Sequence, residues 1–190
     1  MNRRTAIKGI LGVAGLGYAT YIGVKYFIEY VNQDRGKLEA QSILIAELAN
    51  VIIPPTQSPG AKEALVHNYI ISYLEDCSSI KEYNNFIKGL TDLQENCVSN
   101  YNNNFENCTT VQKNKIIEDL DNNSDSNGLF SKISNKLQGH SFYDILKSLT
   151  IEGYCTSEMG ATQHLVYALI PGKYNAITSL NKNQKSWATK

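Results

Sequence analysis

An excess of charge of either sign is absent from this 190-residue chain: lysine plus arginine and aspartate plus glutamate number 18 each. No global field exists to gather nucleic acid, and a nucleic-acid partner is not expected. Tryptophan occurs once, methionine twice and proline four times, so there is no proline-rich tract. The cysteines, Cys77, Cys97, Cys108 and Cys155, form neither a CxxC pair, nor a CxxCH haem attachment site, nor a zinc-ligand spacing. The histidines, His67, His140 and His164, lack the HxxxH spacing that places two metal ligands on one helix face. Sustained period-two alternation bounded by hairpin turns is also missing, which argues against a sheet protein. An uninterrupted apolar run is lacking as well. The uncharged stretch from Gly9 to Val24 is diluted by Gly12, Gly15, Gly17 and Gly23 and falls short of the ~20 apolar residues of a strong membrane span.

What is present begins at Arg3-Arg4, followed by Ile7-Lys8 and that weakly apolar, glycine-containing stretch. A basic n-region followed by an h-region is the pattern of an export signal, and the arginine pair resembles the twin-arginine signal, which carries proteins already folded. The plainer alternative is a helix whose arginines are cytoplasmic positive charge. No A-x-A site follows Val24, so the leader is also a candidate tether to the cytoplasmic membrane, with the body outside. The glycines of Gly12-x-x-Gly15-x-Gly17 imitate part of a dinucleotide fingerprint, but no buried strand precedes them as that mechanism requires.

The body reads as helices. Leu44, Leu48, Val51 and Ile52 have helical spacing and stop at Pro54-Pro55. Ser58-Pro59-Gly60-Ala61 predicts a capped helix start with proline in its first turn, running to about Glu75. Phe86, Leu90, Leu93, Cys97 and Tyr101 give the clearest helical stripe, ending in Asn102-Asn103-Asn104. Thr109-x-x-Gln112 predicts a capping box ahead of Ile116, Ile117 and Leu120, and Asp121 to Asn127 a loop. Leu129, Phe130, Ile133 and Leu137 form one stripe, Phe142, Ile145, Leu146 and Leu149 another, with a break at Gly139-His140. A short helix from Gly160 to Leu169 is expected before Pro171-Gly172, then a loosely held tail apart from Trp187. The expected architecture is all-α: an irregular helical bundle over residues 37–190, preceded by an N-terminal signal or anchor helix and connector over residues 1–36.

Catalytic chemistry appears only in fragments. Glu152 and Glu158 flank Gly153-Tyr154-Cys155-Thr156-Ser157 and read as solvated carboxylates near a helix start, with an acid/base pair as the sharper alternative. Cys155 lacks the glycines of a nucleophile elbow, so a role with His140 or His164 as base is poorly supported. In an oxidising compartment Cys97 and Cys108 would close a short loop around the asparagine-rich turn. Such a loop stabilises by ~3 kcal/mol in the chain-entropy model. The alternative is four buried thiols packing as small hydrophobes.

Three patches together resemble the gluconate 2-dehydrogenase subunit 3 family. They are the leader, the segment from Leu48 to Ala61 containing Ile53-Pro54-Pro55 and Ser58-Pro59-Gly60-Ala61, and the segment Leu149 to Gln163 containing Glu152-Gly153-Tyr154-Cys155-Thr156-Ser157-Glu158. Pro171-Gly172-Lys173-Tyr174 follows in the same order, and Phe86 with Gly89-Leu90 falls where the family has a comparable helix. Asn50 stands where an acidic residue is common. The resemblance implies a non-catalytic small subunit, itself without cofactor, that supplies twin-arginine export and stabilises a large subunit. That partner would be an FAD-dependent sugar or polyol dehydrogenase of the glucose-methanol-choline type, in some complexes passing electrons to a cytochrome c subunit. The further partners are the twin-arginine translocase and the cytoplasmic membrane, and the expected location is the periplasm. No catalytic, cofactor or metal residue carries over; Pro59, Gly60, Tyr154, Pro171 and Gly172 are the candidate partner-interface residues, and Arg3 and Arg4 the export signal. Two other readings stand beside this: a stand-alone membrane-tethered helical binding protein of the cell envelope, and a small periplasmic enzyme using Glu152, Glu158 and a histidine.

Overall fold

The computed structural model describes residues 17–21, 23, 36–124, 140–170, 172, 177, 179 and 182–188. The chain divides into two units, Met1–Arg35 and Gly36–Lys190. In the first, residues 17–21 and 23 are helical, and the Thr20 hydroxyl donates to the Gly17 carbonyl at 3.0 Å. The expected leader helix otherwise lies outside the described residues, Arg3 and Arg4 included. So does the stripe from Leu129 to Leu137.

The second unit is a helical bundle without a strand among its described residues: α1 (Ser42–Ile52), α2 (Val66–Asp76), α3 (Ile80–Tyr101), α4 (Thr110–Ser124) and α5 (Phe142–Thr156). Helix α5 touches all four others, and its Ile145, Leu146, Leu149 and Tyr154 enter one core with Leu44, Leu48, Ile70, Leu74, Phe86 and Leu90. Complete burial of such a side chain contributes about 1.5–3 kcal/mol. Among the described residues no helix is long and apolar enough to cross a membrane.

Local chemistry fixes the ends. Ser79 caps α3 reciprocally with Glu82: the Ser79 hydroxyl accepts from the Glu82 N–H at 3.3 Å, and the Glu82 carboxylate accepts from the Ser79 N–H at 3.1 Å. Tyr83 is thereby added ahead of the expected stripe from Phe86 to Tyr101. Asn102 then stops the helix in the left-handed region, φ 52°. The Thr109–Gln112 box forms as expected, with Gln112 Oε1 accepting from the Thr109 N–H at 2.8 Å. Ser141 caps α5 by accepting from the Asp144 N–H at 3.2 Å.

Four expectations are corrected. The second helix starts at Val66 rather than after Ser58, because residues 61–65 form a separate turn in which the Val66 N–H reaches back to the Ala61 carbonyl at 3.0 Å. Leu65, just ahead of the helix, takes φ 54°. Helix α4 continues through Ser124, over the first residues of the expected loop, with Asp121 paired to Lys147 of α5 at 2.9 Å; the rest of that loop lies outside the described residues. The expected helix from Gly160 to Leu169 is a single π turn, Gly160–His164. It ends because Val166 pairs with the tail: its N–H donates to the Ser186 carbonyl at 2.8 Å and its carbonyl accepts from the Ala188 N–H at 2.9 Å. Residues 186–188 are therefore tied down, although the Trp187 side chain stays 56% exposed.

Candidate functional site

The two most motif-like segments of the sequence meet where the loop after α1 touches the end of α5. After Ile52 the chain leaves the helix, exposes Pro54, Pro55, Thr56 and Gln57, and returns when the Ala61 N–H donates to the Ile53 carbonyl at 2.9 Å. Gly60 is buried at this closure. A β-carbon there would stand 2.8 Å from Asn50 Oδ1 and from the Pro55 nitrogen and Cδ, so close backbone approach excludes a side chain.

Tyr154 reaches this loop from α5. Its hydroxyl donates to the Pro59 carbonyl at 2.6 Å while its ring, 2% exposed, fills the core. That satisfies the polar tip of a buried tyrosine. The His164 ring packs edge-on to Tyr154, centroids 5.6 Å apart, and its Nδ1 lies 3.3 Å from the Ser58 hydroxyl. Ser58, expected as a helix cap, instead joins the loop to the π turn. Ser157 completes the corner: its hydroxyl donates to the Tyr154 carbonyl at 2.7 Å and accepts from the Gly160 N–H at 3.0 Å. A β-carbon on Gly160 would overlap the Tyr154 carbonyl, and one on Gly153 would stand 2.7 Å from the Tyr69 ring.

Of the expected interface residues, Pro59, Gly60 and Tyr154 are thus brought together, with Gly60 and Tyr154 buried and Pro59 half-buried. Gly172 is exposed with open space around its Cα. Pro171 lies outside the described residues.

A cleft of about 240 Å³ is lined by residues including Glu82, His140, Asp144 and Glu152. Glu82 and Asp144 serve the caps of α3 and α5. Glu152 sits in the last turn of α5, not near a helix start; burial and then its hydrogen bond with Glu152 push the Tyr69 hydroxyl above its usual pKa. Glu158 precedes the π turn on the exposed surface and does not line that cleft. Among the described residues no group of three or more His, Cys, Asp or Glu side chains is placed to hold a metal ion. Cys155 is half-buried on α5, and the polar partner of His164 is Ser58.

Glu47 forms a second polar node that sequence reasoning missed. It accepts from Lys62 at 2.5 Å and from Lys113 at 2.6 Å, joining α1 to the loop before α2 and to α4. Burial pushes its carboxyl up, but the two ammonium groups outweigh this and hold it below the usual carboxylate range. His67 faces the same side of α1 beside Lys62 and Leu65, and burial lowers its pKa. Only contacts between distant segments mark these groups, so a pass along the sequence carries no signal for them.

In this helical domain, helix caps occupy Glu82 and Asp144, loop closure occupies Tyr154 and Ser58, and two lysine partners occupy Glu47. Residues 39–172 match the sequence profile of gluconate 2-dehydrogenase subunit 3, and the chain belongs to that family. Neither the curated proteins nor the solved structures contain a match to it. The family is an accessory subunit of a gluconate 2-dehydrogenase complex, which implies a partner dehydrogenase.

Proposed function

We propose that this chain is the non-catalytic small subunit of a periplasmic FAD-dependent sugar or polyol dehydrogenase of the glucose-methanol-choline type. It carries the complex out on its twin-arginine leader and stabilises the large subunit there. The family match over residues 39–172 carries the reading. It is supported by the Arg3-Arg4 leader and by the structural occupation of the motif residues, whose shared product is a shaped loop. A flavoprotein that acquires FAD while folding in the cytoplasm must cross the membrane folded, and one twin-arginine signal serves two bound chains.

The large subunit docks on what the motif residues hold up rather than on all of them directly. Tyr154 and Gly60 set the shape of the exposed Pro54, Pro55, Thr56 and Gln57, and the exposed Leu169 and Ile170 supply apolar area beside Gly172. Adjacent exposed aliphatic side chains of this kind have the character of an interface core.

The test is purification of the tagged full chain from its own cells in mild detergent. It is expected to bring down a large polypeptide with flavin absorption and sugar or polyol dehydrogenase activity, and to be colourless and inactive once separated. Recovery of the chain at native expression without flavin or dehydrogenase activity overturns the proposal.

A further inference from the structure

Helix α3 carries Cys97 near its C-terminal end, and the chain reverses immediately afterwards. Asn102 turns it at φ 52°, and a 3-10 turn, Phe105–Asn107, follows. Gln94, one helical turn before Cys97, pins this reversal. Its Oε1 accepts from the Phe105 N–H at 2.9 Å, and its Nε2 donates to the Glu106 carboxylate at 3.0 and 3.1 Å. Phe105 is fully buried beneath the turn, and the Thr109–Gln112 box starts α4 directly after it. Cys108, the residue between turn and helix, is thereby folded back onto α3. Its thiol donates to the Asn104 carbonyl at 3.5 Å, and it shares one core cluster with Cys97, whose pKa it raises. Both cysteines are thiols here, Cys97 completely buried and Cys108 7% exposed.

We propose that Cys97 and Cys108 are a built disulfide-forming pair: a disulfide donor such as oxidised glutathione, or an oxidoreductase of that class, closes them into an intrachain bond that fastens the end of α3 to the start of α4. Two buried thiols brought into one cluster by a hydrogen-bonded turn are suited to bond with little backbone movement. Exposure sets the order of events. The Cys108 thiolate, 7% exposed where Cys97 is completely buried, attacks the donor's S–S bond, forming a mixed disulfide and releasing one glutathione thiolate. Burial and the neighbouring Cys108 push the Cys97 thiol up to about 11, so it is no first attacker and follows in the second step, where its place beside Cys108 drives the attack. There it gives its proton to the released glutathione thiolate, attacks the Cys108 sulfur and releases the second glutathione. In sum, two protein thiols are oxidised to one disulfide and one donor disulfide is reduced to two thiols. The proposal rests on the export reading only for the cell's supply of oxidant; the pairing itself belongs to the folded chain.

The test uses the purified, reduced full chain without denaturant. It is incubated with oxidised glutathione, its remaining thiols are alkylated, and the peptides are mapped by mass spectrometry. The expected product loses two hydrogens and joins the Cys97 peptide to the Cys108 peptide, with Cys77 and Cys155 outside that bond. In Cys97→Ser the reaction is expected to halt with one glutathione on Cys108. An unlinked Cys97–Cys108 pair at the end of the incubation, or a bond from either residue to Cys77 or Cys155, overturns the proposal. A glutathione-free Cys108 in Cys97→Ser overturns the proposed order. None of these outcomes bears on export, and a failure of export leaves this chemistry of the purified chain unaltered.

Discussion

Gly89 sits in the middle of α3, where two ordinary effects of an alanine oppose each other. In an exposed helix interior, Gly89→Ala would stabilise by about 1 kcal/mol, since glycine loses more backbone freedom on folding. Here a β-carbon would overlap Cβ and Cγ of Phe142 at the start of α5. Those atoms stand next to the backbone and cannot swing away as the end of a long side chain can. Restoring an ordinary carbon–carbon separation requires the two helices to part by more than about 1 Å. That movement also disturbs the Phe86–Phe142 ring pair, whose centroids are 5.1 Å apart and whose geometry contributes about 0.5–1.5 kcal/mol. Overpacking of this kind costs about 1–3 kcal/mol, so the clash outweighs the propensity gain. With the disturbed ring pair added and the propensity gain subtracted, the expected net effect is destabilisation by about 0.5–3.5 kcal/mol, a fall in melting midpoint of roughly 1–14 °C for a domain of this size. Thermal unfolding of the purified chain followed by helical circular dichroism measures it. The penalty should shrink where the overlapping atoms are removed: in Phe142→Gly, which takes away Cβ and the ring together, adding Gly89→Ala should cost less than it does in the wild-type chain. A higher midpoint for Gly89→Ala alone would refute the close α3–α5 approach.

The other expectations concern the loop corner and the polar nodes. Tyr154→Phe removes the donor to the Pro59 carbonyl while keeping the ring, and should cost about 0.5–1.5 kcal/mol in denaturant unfolding; an unchanged stability would mean that water serves that carbonyl equally well. Glu47 has a folded-state pKa below its ordinary 4.5, so its contribution is present above that value and is lost as the pH falls below it towards the folded pKa. Glu47→Gln should flatten this part of the acid limb of a stability–pH profile, and an unaltered limb would remove Glu47 from the account. Leu65 is 57% exposed in the left-handed region, a conformation that costs a side-chain-bearing residue about 1–2 kcal/mol. Leu65→Gly should therefore raise stability by about 0.5–1 kcal/mol, and a loss would show that the leucine side chain contributes more than its exposure suggests.

The elements legible in the sequence are those whose determinants lie within a few residues of one another. Phe86, Leu90, Leu93 and Cys97 mark α3 by spacing alone, and Thr109 with Gln112 marks the start of α4. The misplaced helix start before Val66 has a different origin. Leu65 adopts the left-handed region without the glycine or asparagine that normally announces it, and the turn exists because Ala61 is held by Ile53. The helix expected as far as Leu169 fails for a similar reason, since Val166 bonds residues in the tail that no local pattern connects to it. At the candidate site, Pro59, Gly60 and Tyr154 were visible as motif residues, but their role was not. The Tyr154–Pro59 hydrogen bond joins residues 95 apart in the chain, and only that contact reveals Tyr154 as a buried strut beneath the loop.

Export coupled to partner binding is tested most directly by Arg3→Lys combined with Arg4→Lys. Both substitutions keep the positive charge that biases orientation and remove only the guanidinium groups. Cells carrying the double variant are fractionated beside wild type, and both this chain and flavin-dependent sugar or polyol dehydrogenase activity are followed. The account predicts that the chain and the activity are retained together in the cytoplasm. Wild-type dehydrogenase activity in the periplasm while this chain is trapped inside would contradict it.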